Sequence, residues 1–286
     1  MKVLAVIPAR YASERLPAKV LAPLLGKPMI QWTWEQARRA SRVDEVVVAT
    51  DDERVLKAVE QFGGHAIMTA PDHASGTDRV AEAAAESTAQ LIVNLQGDEP
   101  LMHPETIDRA IKPFLEDDNL AMSSAKVEIQ EAESYLNPNV VKVVCDDQDF
   151  ACYFSRSPIP YYRGREPLLE EWRQTGVRPP ALQPAPYKHL GLYVYRTDFL
   201  QAFARLPRPA VEDAEKLEQL RALAWGFKIK VVTTPHDSIG VDTAEDLRKA
   251  EAKMLERLES AAPQGSPAPL QSSGTLKSSA SRRTEK

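Results

Sequence analysis

Cysteine is nearly absent: the 286-residue chain has two, Cys145 and Cys152. Two cysteines make neither a disulfide framework nor a thiolate zinc site, and these do not form a CxxC pair. Cys152 falls in a predicted strand and Cys145 at the end of one, and both read as buried free thiols in a reducing compartment. No stretch approaches the ~20 apolar residues of a spanning helix, and no long apolar segment follows the amino terminus. These absences predict a cytoplasmic protein with no membrane insertion. A basic excess is also missing. The net charge of −5 argues against a nucleic-acid binder, which usually carries a basic stripe. Neither GxxxxGK[ST] nor GxGxxG occurs, so neither a P-loop nor a dinucleotide fold is indicated. No internal repeat is visible.

What is present is an α/β pattern. Apolar runs predict strands at residues 3–7, 45–49, 65–68 and 91–95. Between them, helices are predicted at 28–40, 52–62 and 77–87, with Pro28 at a first helical position and Gly63-Gly64 as a stop. This alternation is the pattern of a mostly parallel open sheet with helices on both faces. Residues 121–127, 140–144, 150–155 and 191–195 read as further strands. They form either a smaller β-rich lobe spanning about 120–195 or an extension of the main sheet. The proline-rich residues 163–186 read as a long excursion, functional or mobile. A helix at 212–224, a strand at 228–232 and a last helix at 244–259 complete a single domain over 1–260. The Ser/Pro/Gly-rich residues 261–286 read as a disordered tail.

The chain is organised around residues 7–19, IPARYASERLPAK. They follow the first buried strand and deliver Arg10, Arg15 and Lys19 to the sheet edge where open α/β sheets bind ligands. Taken singly each is a solvated cation; together they point to a polyanion such as a nucleoside triphosphate. Backbone N–H groups near Ala9 and Arg10, after Pro8, can add donors. A second segment, QGDEP at 96–100, follows the strand ending at Leu95. Asp98 fits a magnesium ligand, since that ion is held by one or two carboxylates plus substrate phosphates. Gly97 would let the backbone approach a ligand. In GVDTAEDL at 240–247, Asp242 or Thr243 is by itself a helix cap, with Glu245 completing a capping box. HASGTDR at 73–79 likewise reads as a helix start. His189, Tyr193 and Tyr195 share parity and so one strand face, while Glu212 and Glu215 share a helix face.

These five segments, in this order, resemble the 3-deoxy-manno-octulosonate (KDO) cytidylyltransferases over about residues 1–255. The resemblance implies a nucleotide-diphospho-sugar transferase-like fold and a homodimer. It implies transfer of CMP from CTP to KDO with release of pyrophosphate, for lipopolysaccharide biosynthesis. It makes Asp98 and Asp242 the Mg²⁺ ligands, and Arg10, Lys19, Asp98 and Asp242 the catalytic set. It assigns the nucleotide to Pro8, Ala9, Arg10, Arg15, Lys19, Ser75, Gly76, Arg79 and Asp98. It assigns the sugar to Gln96, Arg156, His189, Tyr193, Glu212 and Glu215. Two features depart from the family: the 163–186 stretch is longer, and the tail has no counterpart. Sialic acid or an amino-substituted KDO is the alternative acceptor. A non-catalytic nucleotide-binding regulatory module is the alternative class; it would be expected to lack Lys19 or a metal ligand, and neither is missing.

Overall fold

The computed structural model describes residues 1–13 and 15–261; the tail predicted to be disordered lies outside the described residues from position 262 onward. Strand β1 (Val3–Ala9) leads into a 3-10 helix (Lys19–Leu21), a small hairpin of β2 (Pro23–Leu24) and β3 (Lys27–Pro28), and helix α1 (Met29–Arg39). Then come β4 (Glu45–Thr50), α2 (Glu53–Gln61), β5 (His65–Met68), α3 (Gly76–Ala84), β6 (Leu91–Leu95) and α4 (Pro104–Ile111). The second half adds β7 (Met122–Glu128), α5 (Ala132–Leu136), β8 (Lys142–Cys145), β9 (Ala151–Ser155), α6 (Glu166–Thr175) and β10 (Tyr187–Arg196). It closes with α7 (Thr197–Phe203), α8 (Ala210–Glu215), α9 (Leu220–Ala224), β11 (Ile229–Thr233) and α10 (Ala244–Ala261).

Among the described residues, nine strands form one sheet, ordered β11-β7-β10-β6-β1-β4-β5, with β8 branching from β10 and β9 pairing with β8. Four of the six pairings along the main path are parallel; β10 alone runs against both of its neighbours there. The middle strands therefore extend the main sheet, and the β8–β9 hairpin is the part that departs from it.

Side-chain parity explains the two covered faces. Val3, Ala5 and Ile7 of β1 pack with Ile30 of α1, Val55 of α2 and Ile107 of α4. Leu4 and Val6 pack on the other face with Val80 of α3, Phe199 of α7 and Leu220 of α9. Because strand side chains alternate, an apolar run such as residues 3–7 must be buried from both sides.

Several expectations change. Pro28 stands just before α1 as its N-cap. The helix predicted at 212–224 is two short helices, because Lys216 adopts a left-handed conformation at φ 53°. The 163–186 excursion contains α6, whose Trp172 is fully buried with Tyr135, Tyr162 and Leu182 in a satellite core. One aromatic anchor orders this proline-rich stretch, a long-range contact without local periodicity. Cys145 is half-buried and Cys152 exposed, both as free thiols; Cys152 lies on the solvent side of the hairpin that departs from the sheet.

Candidate active site

The loops after β1 and β6 meet at one end of the parallel strands. Gly97 allows this: a β-carbon there would stand 2.9 Å from the Pro8 carbonyl oxygen and 3.3 Å from Ile30 Cδ1. The glycine is needed for the approach of two loops, where the sequence had suggested approach of a ligand. The Val241 N–H donates to the Asp98 carbonyl at 2.9 Å, which brings the segment before α10 alongside the β6 loop.

The result is a compact charged cluster. Lys19 Nζ donates to Asp98 Oδ2 at 2.5 Å and to Asp242 Oδ1 at 2.9 Å. Arg15 Nη2 lies 2.9 Å from Asp242 Oδ2. Burial works against the Lys19 charge, but the two carboxylates outweigh it and its pKa is raised. Burial likewise favours neutral Asp242, and Lys19 with Arg15 overcome it, lowering its pKa. Asp242 is not the helix cap. Thr243 accepts from the Asp246 N–H at 3.1 Å, and Asp246 accepts from the Thr243 N–H at 3.0 Å. The box closes one residue later than Asp242–Glu245, leaving the Asp242 carboxylate to the cluster. His103 caps α4, so Asp98 is likewise without a capping role. Two carboxylates converging on one ammonium are a donor set suited to a hard divalent cation, which also takes oxygen ligands.

The other predicted residues separate into those near this end and those committed elsewhere. Arg10 donates to the His73 carbonyl, and Ala9 is fully buried as the last residue of β1. Gly76 lies against both Pro8 and Gln96; a β-carbon on it would be 3.5 Å from Pro8 Cγ and from Gln96 Oε1. Ser75 caps α3 in a capping box with Asp78. Arg79 is fully buried, with its guanidinium on Thr69 and Asp51. It forms a core ion pair with Asp51. Glu212 is buried and holds Arg221 through both oxygens, at 2.8 and 2.6 Å. It too is committed to the interior, with both oxygens accepting from Arg221.

His189, Tyr193 and Tyr195 do share one face: the rings of His189 and Tyr193 are 5.4 Å apart, and those of Tyr193 and Tyr195 6.1 Å. Ser124 Oγ donates to the Leu192 carbonyl at 2.8 Å, so it must accept from His189 Nε2 at 2.8 Å. His189 is thereby held as the Nε2–H tautomer, and burial pushes its pKa down to about 3. Burial raises the Tyr193 phenol far above its usual range, and its hydroxyl donates to Gln219 Oε1 at 3.0 Å. Glu215 accepts from Ser155 Oγ at 2.6 Å and from the Arg156 N–H at 2.9 Å, while Arg156 Nε donates to the Glu215 carbonyl at 2.7 Å. Strand β9 joins the two groups, since the Phe154 ring stands edge-on to His189 at 4.9 Å.

Sequence reasoning passed over Glu99, Asn94, Thr77 and Glu218. Burial pushes the Glu99 carboxyl up to about 7; Ser238 donates to it, and it packs beside Gly191 and Gly240. The available signal for Asn94 was one amide in an otherwise apolar strand. A separate group, His103, Glu105 and His236, offers three ligand atoms within 4.8 Å. Its carboxylate is already held by Arg109 at 2.6 Å and His236 at 2.9 Å. Arg257 and Arg39 add positive charge around His103. The group is a clasp between α4 and the segment after β11.

A sheet edge with paired carboxylates beside a basic loop is the arrangement a nucleotidyltransferase needs. The sequence profile of the Cytidylyltransferase family matches residues 4–229. A 3-deoxy-manno-octulosonate cytidylyltransferase of Geobacter sulfurreducens is 51% identical over 255 residues, covering 89% of this chain and all of that one. One of Geobacter metallireducens is 52% identical, covering 89% and 98%. Among solved structures, a CMP:2-keto-3-deoxy-manno-octonic acid synthetase complexed with CTP superimposes with a TM-score of 0.80 at 41% identity, covering 90% of this chain and all of that one. The chain belongs to the 3-deoxy-manno-octulosonate cytidylyltransferase family.

Proposed function

We propose that this protein transfers CMP from CTP to the anomeric hydroxyl of KDO, forming CMP-KDO and pyrophosphate for lipopolysaccharide biosynthesis. The observation that carries the reading is the convergence of Asp98 and Asp242 on a single cation position beside the Arg10–Lys19 loop. The hydroxyl oxygen forms a bond to the α-phosphorus, the bond from that phosphorus to the bridging oxygen breaks, and pyrophosphate leaves with that electron pair. The hydroxyl proton passes to solvent. Asp98 and Asp242 would hold Mg²⁺, which supplies neutralisation of α-phosphoryl charge and a lowered pKa for the attacking hydroxyl. Lys19 supplies a mobile point charge, and Arg10 and Arg15 supply planar forks, to the phosphate oxygens as charge moves toward the leaving group. Pro8, Gly76 and Gln96 bound one side of the substrate cleft. His189, Tyr193, Arg156 and Glu215 bound the acceptor side.

The same reading includes a homodimer working in the cytoplasm. Free thiols at Cys145 and Cys152 support the compartment, and no described helix is long and apolar enough to cross a membrane. Among the described residues, strand β9 is paired only with β8 and exposes Tyr153, a face suited to a second copy. The test of the function is pyrophosphate release with CTP, Mg²⁺ and KDO. It runs beside CTP with sialic acid, UTP with KDO, and an Asp98→Ala control. Release confined to CTP with KDO, and lost in the control, is expected. Release with sialic acid alone would overturn the acceptor, and no release with any pair would overturn the enzyme.

A further inference from the structure

Asn94 is fully buried on the α3 face of β6, and it sits inside a chain of four polar side chains. Thr77 Oγ1 donates to Glu218 Oε2 at 2.5 Å, Asn94 Nδ2 donates to Thr77 Oγ1 at 3.2 Å, and Gln96 Nε2 donates to Asn94 Oδ1 at 2.9 Å. We infer that this chain, anchored at Glu218, fixes the Gln96 amide with its carbonyl oxygen toward the substrate cleft, making Gln96 a dedicated acceptor for a hydrogen-bond donor of the substrate.

The polarity follows from counting protons. Burial raises the Glu218 pKa, but the Thr77 hydroxyl at 2.5 Å and the Arg221 guanidinium 3.3 Å from Oε1 work against that shift and favour the ionised form, which can only accept. Thr77 has a single hydroxyl proton, which goes to Glu218, so toward Asn94 its oxygen can only accept. Asn94 must then turn its NH₂ to Thr77 and its oxygen to Gln96. Gln96 must in turn approach with its NH₂, which leaves Oε1 on the Gly76 side of the cleft. An isolated glutamine amide has no such preference; here the distant carboxylate sets it through two buried links. Glu218, Thr77 and Asn94 are positioning residues acting through Gln96. Two donors of the proposed substrates fit a fixed acceptor: a hydroxyl of the acceptor sugar, and the exocyclic amine of cytosine. Uracil would place an oxygen at that point, acceptor against acceptor.

The identity of the donor rests on the proposed function; the orientation of the amide does not. The experiment therefore pairs two readouts on the full chain. The first is the side-chain ¹⁵N resonance of Gln96, assigned by its loss in Gln96→Glu. Wild type and Thr77→Ser should show a protected NH₂ proton; Thr77→Val and Glu218→Gln should lose it. The second is steady-state kinetics. Thr77→Val should raise the KM for one substrate by roughly ten-fold, the scale of one neutral hydrogen bond, with a smaller change in kcat. A rise for the sugar identifies the hydroxyl, and a rise for CTP the amine. An unprotected Gln96 amide in wild type, or one unaltered by both Thr77→Val and Glu218→Gln, would overturn the inference. Failure of wild type to release pyrophosphate would overturn the function alone, and the resonance would still decide the orientation.

Discussion

Acidification should weaken this protein through His189, by an amount the structure sets. The imidazole is buried between β7, β9 and β10, against Ser124 and the Phe154 and Tyr193 rings. Burial holds its pKa near 3, against 6.5 for the free side chain. The folded pKa lies below the unfolded one. The contribution is therefore present above pH 6.5 and is lost as pH falls toward 3. Between pH 7 and pH 5 the folded form stays neutral while the unfolded chain takes up a proton, a loss of about 2 kcal/mol. His189→Gln keeps a donor for Ser124 and cannot titrate. Urea unfolding of both proteins at pH 7 and pH 5 isolates the effect, because every other group cancels in the difference. The stability difference should move by roughly 2 kcal/mol in favour of the variant at pH 5. A difference that does not change with pH would refute the buried neutral histidine and the tautomer assigned to it.

Glu99 should act with the opposite sign. Its folded pKa is raised to about 7 from 4.5, so its contribution is present below pH 4.5 and lost as pH rises through 7. Glu99→Gln should gain roughly 2 kcal/mol on wild type between pH 5 and pH 8 in the same urea assay. Glu212→Ala leaves Arg221 charged and unpaired in the interior, an expected cost of roughly 3 to 5 kcal/mol by thermal or urea unfolding. A stable variant with a raised KM for the sugar would instead restore Glu212 as a sugar contact. Gly97→Ala places a β-carbon 2.9 Å from the Pro8 carbonyl. It should cost roughly 1 to 3 kcal/mol and reduce turnover by separating the two loops, both measurable on one preparation.

Sheet and helices were legible where local pattern decides them. Residues 65–68 and 91–95 are strands as read; the first is a partly exposed edge strand, and the second is an apolar run buried on both faces, which has no other comfortable state. Parity placed His189, Tyr193 and Tyr195 together for the same reason. The ordered segments with Arg10, Lys19, Asp98 and Asp242 were also visible, since each follows or precedes a recognisable element. That Lys19 lies between the two aspartates depends on sequence separations of 79 and 223 residues, and only packing closes those. The roles of Arg79 and Glu212 were decided the same way. Their charges are spent on Asp51 and Arg221, partners with no periodic relation to them. Trp172 ordered an excursion that local composition reads as loop. Composition, parity and motif order determined the class of fold and the chemical types at its edge. Which side chains reach the cleft was left to tertiary structure, because a buried charge takes whatever partner the fold brings within hydrogen-bonding distance.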